Sequence, residues 1–238
     1  MPVPYSRSAA LYDRIYGDKS FAAEAETLRE LVTAEHPSAR TLLDVACGTG
    51  AHLQHLREHF EITGLDGSPD MLGVARQRLG DVALHEGDLR RFDLDGRRFD
   101  VITCLFSAIG YVRSLDELDE AIATMTRHLA DDGMLLVEPW FTPAQWRPTG
   151  MTGGMAVDAV DLKVARFCVS AVRDRFAITP MHHLVATPEG VEHFVETHEL
   201  FLAERDEVER AFARAGLADI RYLPEKLVRG LWLGRRRK

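Results

Sequence analysis

The run Thr-Leu-Leu-Asp-Val-Ala-Cys-Gly-Thr-Gly at residues 41 to 50 constrains this chain more than any other stretch. A short apolar segment reaches Asp44, turns on Gly48 and Gly50, and gives way to a helical pattern. That order predicts a buried strand, a glycine turn and a helix start. Where the turn lacks side chains, a ligand can lie against the backbone.

The missing residues narrow the ligand. No Gly-Lys-Ser/Thr occurs in the turn, so it is not a phosphate-cradling loop. Asp44 points to where the phosphates of a dinucleotide would lie, which opposes a pyrophosphate. A carboxylate there suits a cationic or zwitterionic ligand, and S-adenosylmethionine, with an amino group and a sulfonium, has that character.

The flanking pattern alternates. A helical spacing over residues 9–35 breaks near Gly17, and Pro37 ends it. Strands are expected at 41–46, 61–66, 82–85, 99–105 and 134–138, with helices at 50–59, 68–78 and 116–129 between them. Ser68 and Pro69 open the second of these helices as a cap and a first-turn proline. After Pro143 the rhythm changes. Residues 144–156 read as loop, and 163–172, 175–186 and 191–203 read as three antiparallel strands rich in Val, Phe, His and Thr. A helix at 204–215, capped by Gly216, and strands at 218–223 and 229–234 return to the first pattern. The fold class is therefore α/β: a doubly wound, mostly parallel seven-stranded sheet with an antiparallel β insertion. Residues 1–143 and 204–238 form the α/β domain, and residues 144–203 form the insertion. Ligands should bind beyond the carboxyl ends of the parallel strands.

Composition removes several function classes. The 238 residues carry a formal charge of −8, which disfavours nucleic acid. The basic end, Arg235 to Lys238, reads as a solvated tail. No apolar run is long enough for a membrane span, and no secretory signal opens the chain. Three cysteines, Cys47, Cys104 and Cys168, fit reduced thiols and a cytoplasmic protein. Cys47 has no base near it in sequence and is not expected to be a nucleophile.

The chemistry concentrates at strand ends. Asp44 begins the turn that Ala46, Gly48 and Gly50 shape. Asp66 ends the second strand, where an acid can accept both hydroxyls of a ribose. Asp88 follows the third strand and can accept from an adenine amino group, with Leu89 packing on the ring. Phe106 and Ser107 follow the fourth strand, beside the expected transfer site. Of the histidines in the insertion, His193 and His198 are an odd number apart, as are His182 and His183, so each pair diverges. No metal site is expected. A single cleft histidine acting as base on the acceptor side would be His183 or His198.

This set resembles the class I S-adenosylmethionine-dependent methyltransferases, on Leu43 to Gly50, Gly64-Leu65-Asp66 and Gly87-Asp88-Leu89. A narrower likeness covers nearly the whole chain. It rests on Tyr5-Ser6, Leu11-Tyr12-Asp13, Phe106 to Tyr111, Val137 to Phe141, and Arg229-Gly230-Leu231. These look like the nucleotide-linked amino-sugar N,N-dimethyltransferases of macrolide sugar biosynthesis, which methylate the amine of a dTDP-3-amino-3,6-dideoxyhexose twice. The resemblance implies a homodimer formed through the insertion, which also roofs the active site. It implies that Asp66 holds the ribose, Asp88 and Leu89 the adenine, and that Tyr12 closes over the cofactor. It places Tyr5 and Arg229 near the sugar nucleotide, Arg229 at its diphosphate. Tyr111 stands where the family often has His, Phe21 where tyrosine is usual, and Pro224 to Val228 replace a glycine- and serine-rich approach to Arg229.

Methyl transfer from a sulfonium is an in-line displacement of an activated group, so positioning is the main task. Tyr111 and Tyr12 are expected to orient the amine. Phe106 and Trp140 would wall the site, and Arg166, with Arg173 a weaker candidate, would meet the substrate from the antiparallel strands. Two other functions compete: an O- or N-methyltransferase with another small acceptor, and a cofactor-binding regulator without catalysis. The missing Asn/Asp-Pro-Pro-Tyr/Phe run after the fourth strand speaks against nucleic-acid methylation.

Overall fold

The computed structural model describes residue 5, residues 7–148 and residues 151–237. Ser6, residues 149–150 of the expected loop and Lys238 of the basic end lie outside the described residues. A short 3-10 turn at Ala9–Leu11 leads into α1 (Tyr12–Ile15) and α2 (Phe21–Glu35). The break between them, expected near Gly17, has a local cause. The Ser20 hydroxyl accepts from the Ala23 N–H and starts α2 afresh.

Then come β1 (Thr41–Val45), α3 (Ala51–Leu56), β2 (Glu61–Asp66), α4 (Pro69–Leu79), β3 (Ala83–Glu86), β4 (Phe99–Cys104), α5 (Leu115–Arg127) and β5 (Leu129–Val137). Ser68 and Ser114 cap α4 and α5 by accepting from Met71 N–H and Glu117 N–H. The inserted segment supplies β6 (Met151–Asp158), β7 (Lys163–Val169), β8 (Ala171–Arg173), β9 (Phe176–Thr187) and β10 (Gly190–Phe201). The chain closes with α6 (Arg205–Arg214), β11 (Leu217–Leu223) and β12 (Leu231–Arg236).

The large sheet has the order β11-β12-β5-β4-β1-β2-β3, parallel except for β12, which runs antiparallel to both neighbours. Strand order reverses between β1 and β4, the place where doubly wound sheets leave a crevice. Alternation of side chains sends Leu42, Val101 and Leu136 to one face, under α2 and α3, and Leu43, Ile102 and Val137 to the other, under α5 and α6. Leu118, Ile122 and Met125 of α5 are fully buried, each stabilising the fold by about 1.5–3 kcal/mol.

The second sheet is antiparallel, ordered β10-β9-β7-β6 with β8 on β9. It has five strands where three were expected. β6 begins inside the expected loop, and its Gly153-Gly154 step coincides with a register shift against β7 between Thr152 and Met155. Glycines and a bulge erase the alternation that marks a strand. The basic end is also corrected. Arg235 and Arg236 lie in β12, where Arg235 donates to the Glu35 carbonyl and Arg236 to the Leu129 carbonyl at 2.9 Å. These guanidinium groups tie the last strand to α2 and to the start of β5.

Candidate functional site

The turn after β1 is left-handed at Ala46 (φ 59°), Gly48 (56°) and Gly50 (72°). Gly48 faces open space, whereas a Cβ on Gly50 would come within 2.7 Å of Leu79. One glycine therefore keeps the turn clear for a ligand, and the other lets α4 pack against it. Asp66 fixes the turn: its Oδ2 accepts from Gly48 N–H at 2.7 Å and its Oδ1 from Ser68 N–H at 2.8 Å. Burial pushes its carboxyl up, and those two donors oppose the shift. Asp44, 2% exposed, accepts from the Thr103 hydroxyl at 2.7 Å. Burial pushes Asp44 up to about 6, with His52 and the Thr103 hydroxyl opposing the rise and the Asp66 carboxylate adding to it.

In front of these acids lies a crevice bounded by Tyr12, Phe21, Asp44, Ala46, Gly48, Thr49, His52, Leu105 and Phe106. The structure thus brings Tyr12, Asp44, Ala46, Gly48 and Phe106 together, with Gly50 and Asp66 directly behind. Asp88 is not among the lining residues and is held by the Arg90 guanidinium, which keeps its carboxyl below the usual range. Leu89 packs on the core beside α5.

A second turn, after β4, forms the opposite wall. Phe106 (φ 50°) and Ser107 (φ 62°) are both left-handed, a conformation that costs on the order of 1–3 kcal/mol per residue. Glu138 holds it in place. This carboxylate is 1% exposed and accepts from Phe106 N–H at 2.7 Å, while Ser107 donates to the Pro139 carbonyl at 2.6 Å. The other oxygen of Glu138 meets Arg229 at 3.3 Å. The Arg229 guanidinium lies 4.9 Å from the Trp140 ring and 5.5 Å from that of Phe106. Burial raises the Glu138 pKa, and the Arg229 charge opposes that rise.

Beyond Phe106 the cleft is aromatic. Tyr12 and Tyr16 lie 4.7 Å apart, Tyr16 stands edge-on to Phe106 at 5.2 Å, and Tyr5 stands edge-on to Tyr12 at 5.3 Å. Arg166, from β7, donates to the Tyr16 hydroxyl at 3.1 Å. Tyr111 closes the group from the turn before α5, its hydroxyl 2.8 Å from His198 Nδ1. Burial raises the pKa of Tyr5, Tyr12 and Tyr111 far above the ordinary value, so all three remain phenols. In this cage of tyrosines the Arg166 guanidinium lies over the face of Tyr16, 4.9 Å from the ring centre, as a cation does on an aromatic face.

Known proteins resemble this chain in sequence and fold. Residues 42–133 match a family described as a methyltransferase domain. The dTDP-3-amino-3,6-dideoxy-α-D-glucopyranose N,N-dimethyltransferase of Streptomyces fradiae is 41% identical, over 91% of this chain and 85% of its own. The crystal structure of DesVI from Streptomyces venezuelae superposes with a TM-score of 0.89 at 38% identity, covering 99% of this chain and all of that one. CalS10 from Micromonospora echinaspora, an amino pentose methyltransferase solved with S-adenosylmethionine bound, gives 0.84 at 37% identity over 95% of each chain. The chain belongs to the amino-sugar N,N-dimethyltransferase family.

The crevice of this methyltransferase fits its cofactor, S-adenosylmethionine, on the structure's own terms. Asp44 is a buried carboxylate on the lining of the crevice, and Gly48 leaves open the space a side chain would fill. Residues of the site that escaped the sequence reading include Tyr16, Lys19, Glu24 and His52. Glu24 accepts from Lys19 and from His52 Nε2, the latter at 2.8 Å, and the Lys19 ammonium lies 4.5 Å from the Phe106 ring. Glu138 was missed as well, although an acid directly after a buried strand was the available signal.

The histidines divide as alternation requires. His182 and His193 meet on the outer face of the inserted sheet at 3.2 Å, while His183 and His198 are buried on the inner face. Burial pushes His198 down to about 4 and lowers His183 as well, so His198 is neutral at neutral pH. Among the described residues no group of three or more His, Cys, Asp or Glu is placed to hold a metal. Arg173 is paired with Glu199 at 2.8 Å and largely exposed, away from the cage. Among the described residues no helix is long and apolar enough to cross a membrane.

Proposed function

We propose that this methyltransferase transfers two methyl groups in succession to the amine of a dTDP-linked amino-deoxysugar, as its Streptomyces fradiae relative is named for doing. One observation carries the reading. Phe106 borders the cofactor crevice on one side, and on the other it joins both the tyrosine cage and the guanidinium of Arg229. A methyl donor, an amine and an anionic diphosphate thus have adjoining places.

Tyr12, Asp44, Ala46, Gly48, Gly50, Asp66, Asp88, Leu89 and Phe106 hold the cofactor in this reading. Tyr5, Tyr111, Trp140, Arg166 and Arg229 take the sugar nucleotide. When bound, S-adenosylmethionine supplies a methyl group activated by its sulfonium. The chain's own residues do the rest. The amine must arrive unprotonated, since a protonated nitrogen has no lone pair to attack with. Tyr111 and Tyr12, held as phenols, orient that nitrogen by hydrogen bonds rather than deprotonate it. Alignment of this kind supplies up to about 7–11 kcal/mol. The cage stabilises the positive charge that develops on nitrogen, and Phe106 and Trp140 exclude water.

The inserted sheet roofs the cleft and joins two copies of the chain in this account. Its outer face carries Phe167, Val169, Leu184 and Val195, each 43–56% exposed, an apolar patch suited to a second copy. Wild-type protein should sediment as a dimer and a Leu184→Lys variant as a monomer; a wild-type monomer would refute the pairing. Buried thiols at Cys47 and Cys104 suit a reducing cytoplasm. The function itself is tested by release of S-adenosylhomocysteine on mixing protein, S-adenosylmethionine and dTDP-3-amino-3,6-dideoxyglucose. Release that depends on the sugar supports the reading. Release that ignores it, or none at all, overturns it.

A further inference from the structure

Next to Tyr12 stands an acid with no role in the site described above, Asp13. Tyr12 lines the crevice, and Asp13 follows it on α1, turned by about 100° around the helix. α1 is a single turn of four residues. A helix far below about 12–15 residues does not hold itself together, so the place of Tyr12 depends on what α1 is tied to.

The polar ties of α1 and the residue after it run in two directions. Arg14 pairs with Asp161 at 2.8 Å, and the Tyr16 hydroxyl accepts from Arg166 at 3.1 Å, both on the inserted segment. Asp13 reaches the glycine turn instead. Its Oδ1 accepts from the Thr49 hydroxyl at 2.8 Å, and its Oδ2 accepts from the Arg78 guanidinium. Arg78, in the last turn of α4, closes the triangle by donating to the Thr49 carbonyl at 2.7 Å and to the Thr49 hydroxyl oxygen at 2.9 Å. Thr49 is 1% exposed and lines the crevice together with Tyr12. Two lining residues are thus joined by a carboxylate and a guanidinium that do not line it. Tyr12 also packs on Ala9 and Met71, but apolar packing has no direction. The charge-assisted hydrogen bonds of Asp13 do have one, and they fix α1 against the turn.

We propose that Asp13, held by Arg78, is a positioning residue that sets Tyr12 against the glycine turn and so governs how tightly the crevice holds its cofactor. The inference rests on the reading of Tyr12 as a cofactor residue. Asp13 itself touches no ligand, and what it adds to binding passes through Tyr12.

That route is tested by calorimetric titration of S-adenosylhomocysteine into wild type, Asp13→Ala, Tyr12→Ala and the double variant. Tyr12→Ala should weaken binding by itself. Asp13→Ala should weaken it by on the order of tenfold where Tyr12 is present, the size of a charge-assisted hydrogen bond that is partly buried. With Tyr12 already replaced, the same change should cost less than about twofold, because residues that act through one another do not add. Asp13→Asn keeps the shape without the charge and repeats the comparison should Asp13→Ala not fold. Equal losses in the two backgrounds, or no loss where Tyr12 is present, overturn the inference and leave Tyr12 as a cofactor residue. Wild-type affinity in Tyr12→Ala overturns the reading of Tyr12, and the inference with it.

Discussion

The two walls that meet at Phe106 satisfy their polar groups in opposite ways. On the cofactor wall, both oxygens of Asp66 accept backbone N–H groups and Asp44 accepts from Thr103. On the acceptor wall, His183, Glu196, His198 and Arg229 each keep a buried polar atom without a partner. The first wall is complete before any ligand arrives, because the same bonds that shape the glycine turn anchor it to the sheet. The second keeps atoms without a partner. An unpaired buried polar group costs about 1–3 kcal/mol, so the second wall is the less stable of the two.

Breaking the hinge between the walls should have the largest effect. Glu138→Ala leaves the Arg229 charge buried without its partner and frees the strained Phe106 turn. Loss of one member of a buried pair costs about 3–5 kcal/mol, to be read as a shift in the urea midpoint. A midpoint unchanged from wild type would show that Glu138 does not join the walls. The cofactor wall is broken next by Asp66→Ala, which strands the N–H groups of Gly48 and Ser68. Calorimetric titration should show S-adenosylmethionine affinity reduced by on the order of 100-fold, and near-wild-type binding would contradict a pre-built wall.

The acceptor wall gives smaller, kinetic effects. Tyr111→Phe should lower kcat by about 10- to 30-fold with little change in cofactor affinity, the size of one lost orienting hydrogen bond. If Tyr111→Phe and Tyr12→Phe both turn over at nearly the wild-type rate, these hydroxyls do not orient the amine. The smallest effect separates the walls by pH. Asp44 titrates at about 6 in the folded chain against 3.8 for an ordinary aspartate, so the folded state holds this proton more tightly than the unfolded state. Proton uptake then favours folding, and this group makes the ligand-free protein more stable as pH falls from about 7 towards 4. Cofactor affinity moves the other way, falling roughly tenfold from about pH 7 to pH 5 as the anion is lost. A flat affinity profile would show that Asp44 exerts no charge on the cofactor.

The same contrast explains what could be read from the chain alone. The cofactor wall is local: strand, glycine turn and helix are consecutive from Thr41 to Leu56, and Asp66 ends the next strand. Ser68 and Pro69 announce α4 through rules that act within a few residues. The acceptor wall is assembled from afar. Glu138 reaches Phe106 across 32 positions and Arg229 across 91, and Tyr111 meets His198 across 87. No spacing rule links such residues, so Glu138 read as the end of a strand and part of the family-like stretch Val137 to Phe141, without a partner. Strand β6 was hidden for a different reason, since its paired glycines and bulge remove the alternating pattern.

The central claim is that the two walls place a methyl donor against the nitrogen of a nucleotide-linked amino sugar. The most direct test is isotopic: incubate the protein with S-adenosylmethionine labelled with carbon-13 in its methyl group and dTDP-3-amino-3,6-dideoxyglucose, then record the carbon–proton NMR spectrum of the recovered sugar nucleotide. Two labelled methyl groups on the sugar nitrogen are predicted. Label on oxygen, on carbon, or nowhere in the sugar would contradict the account.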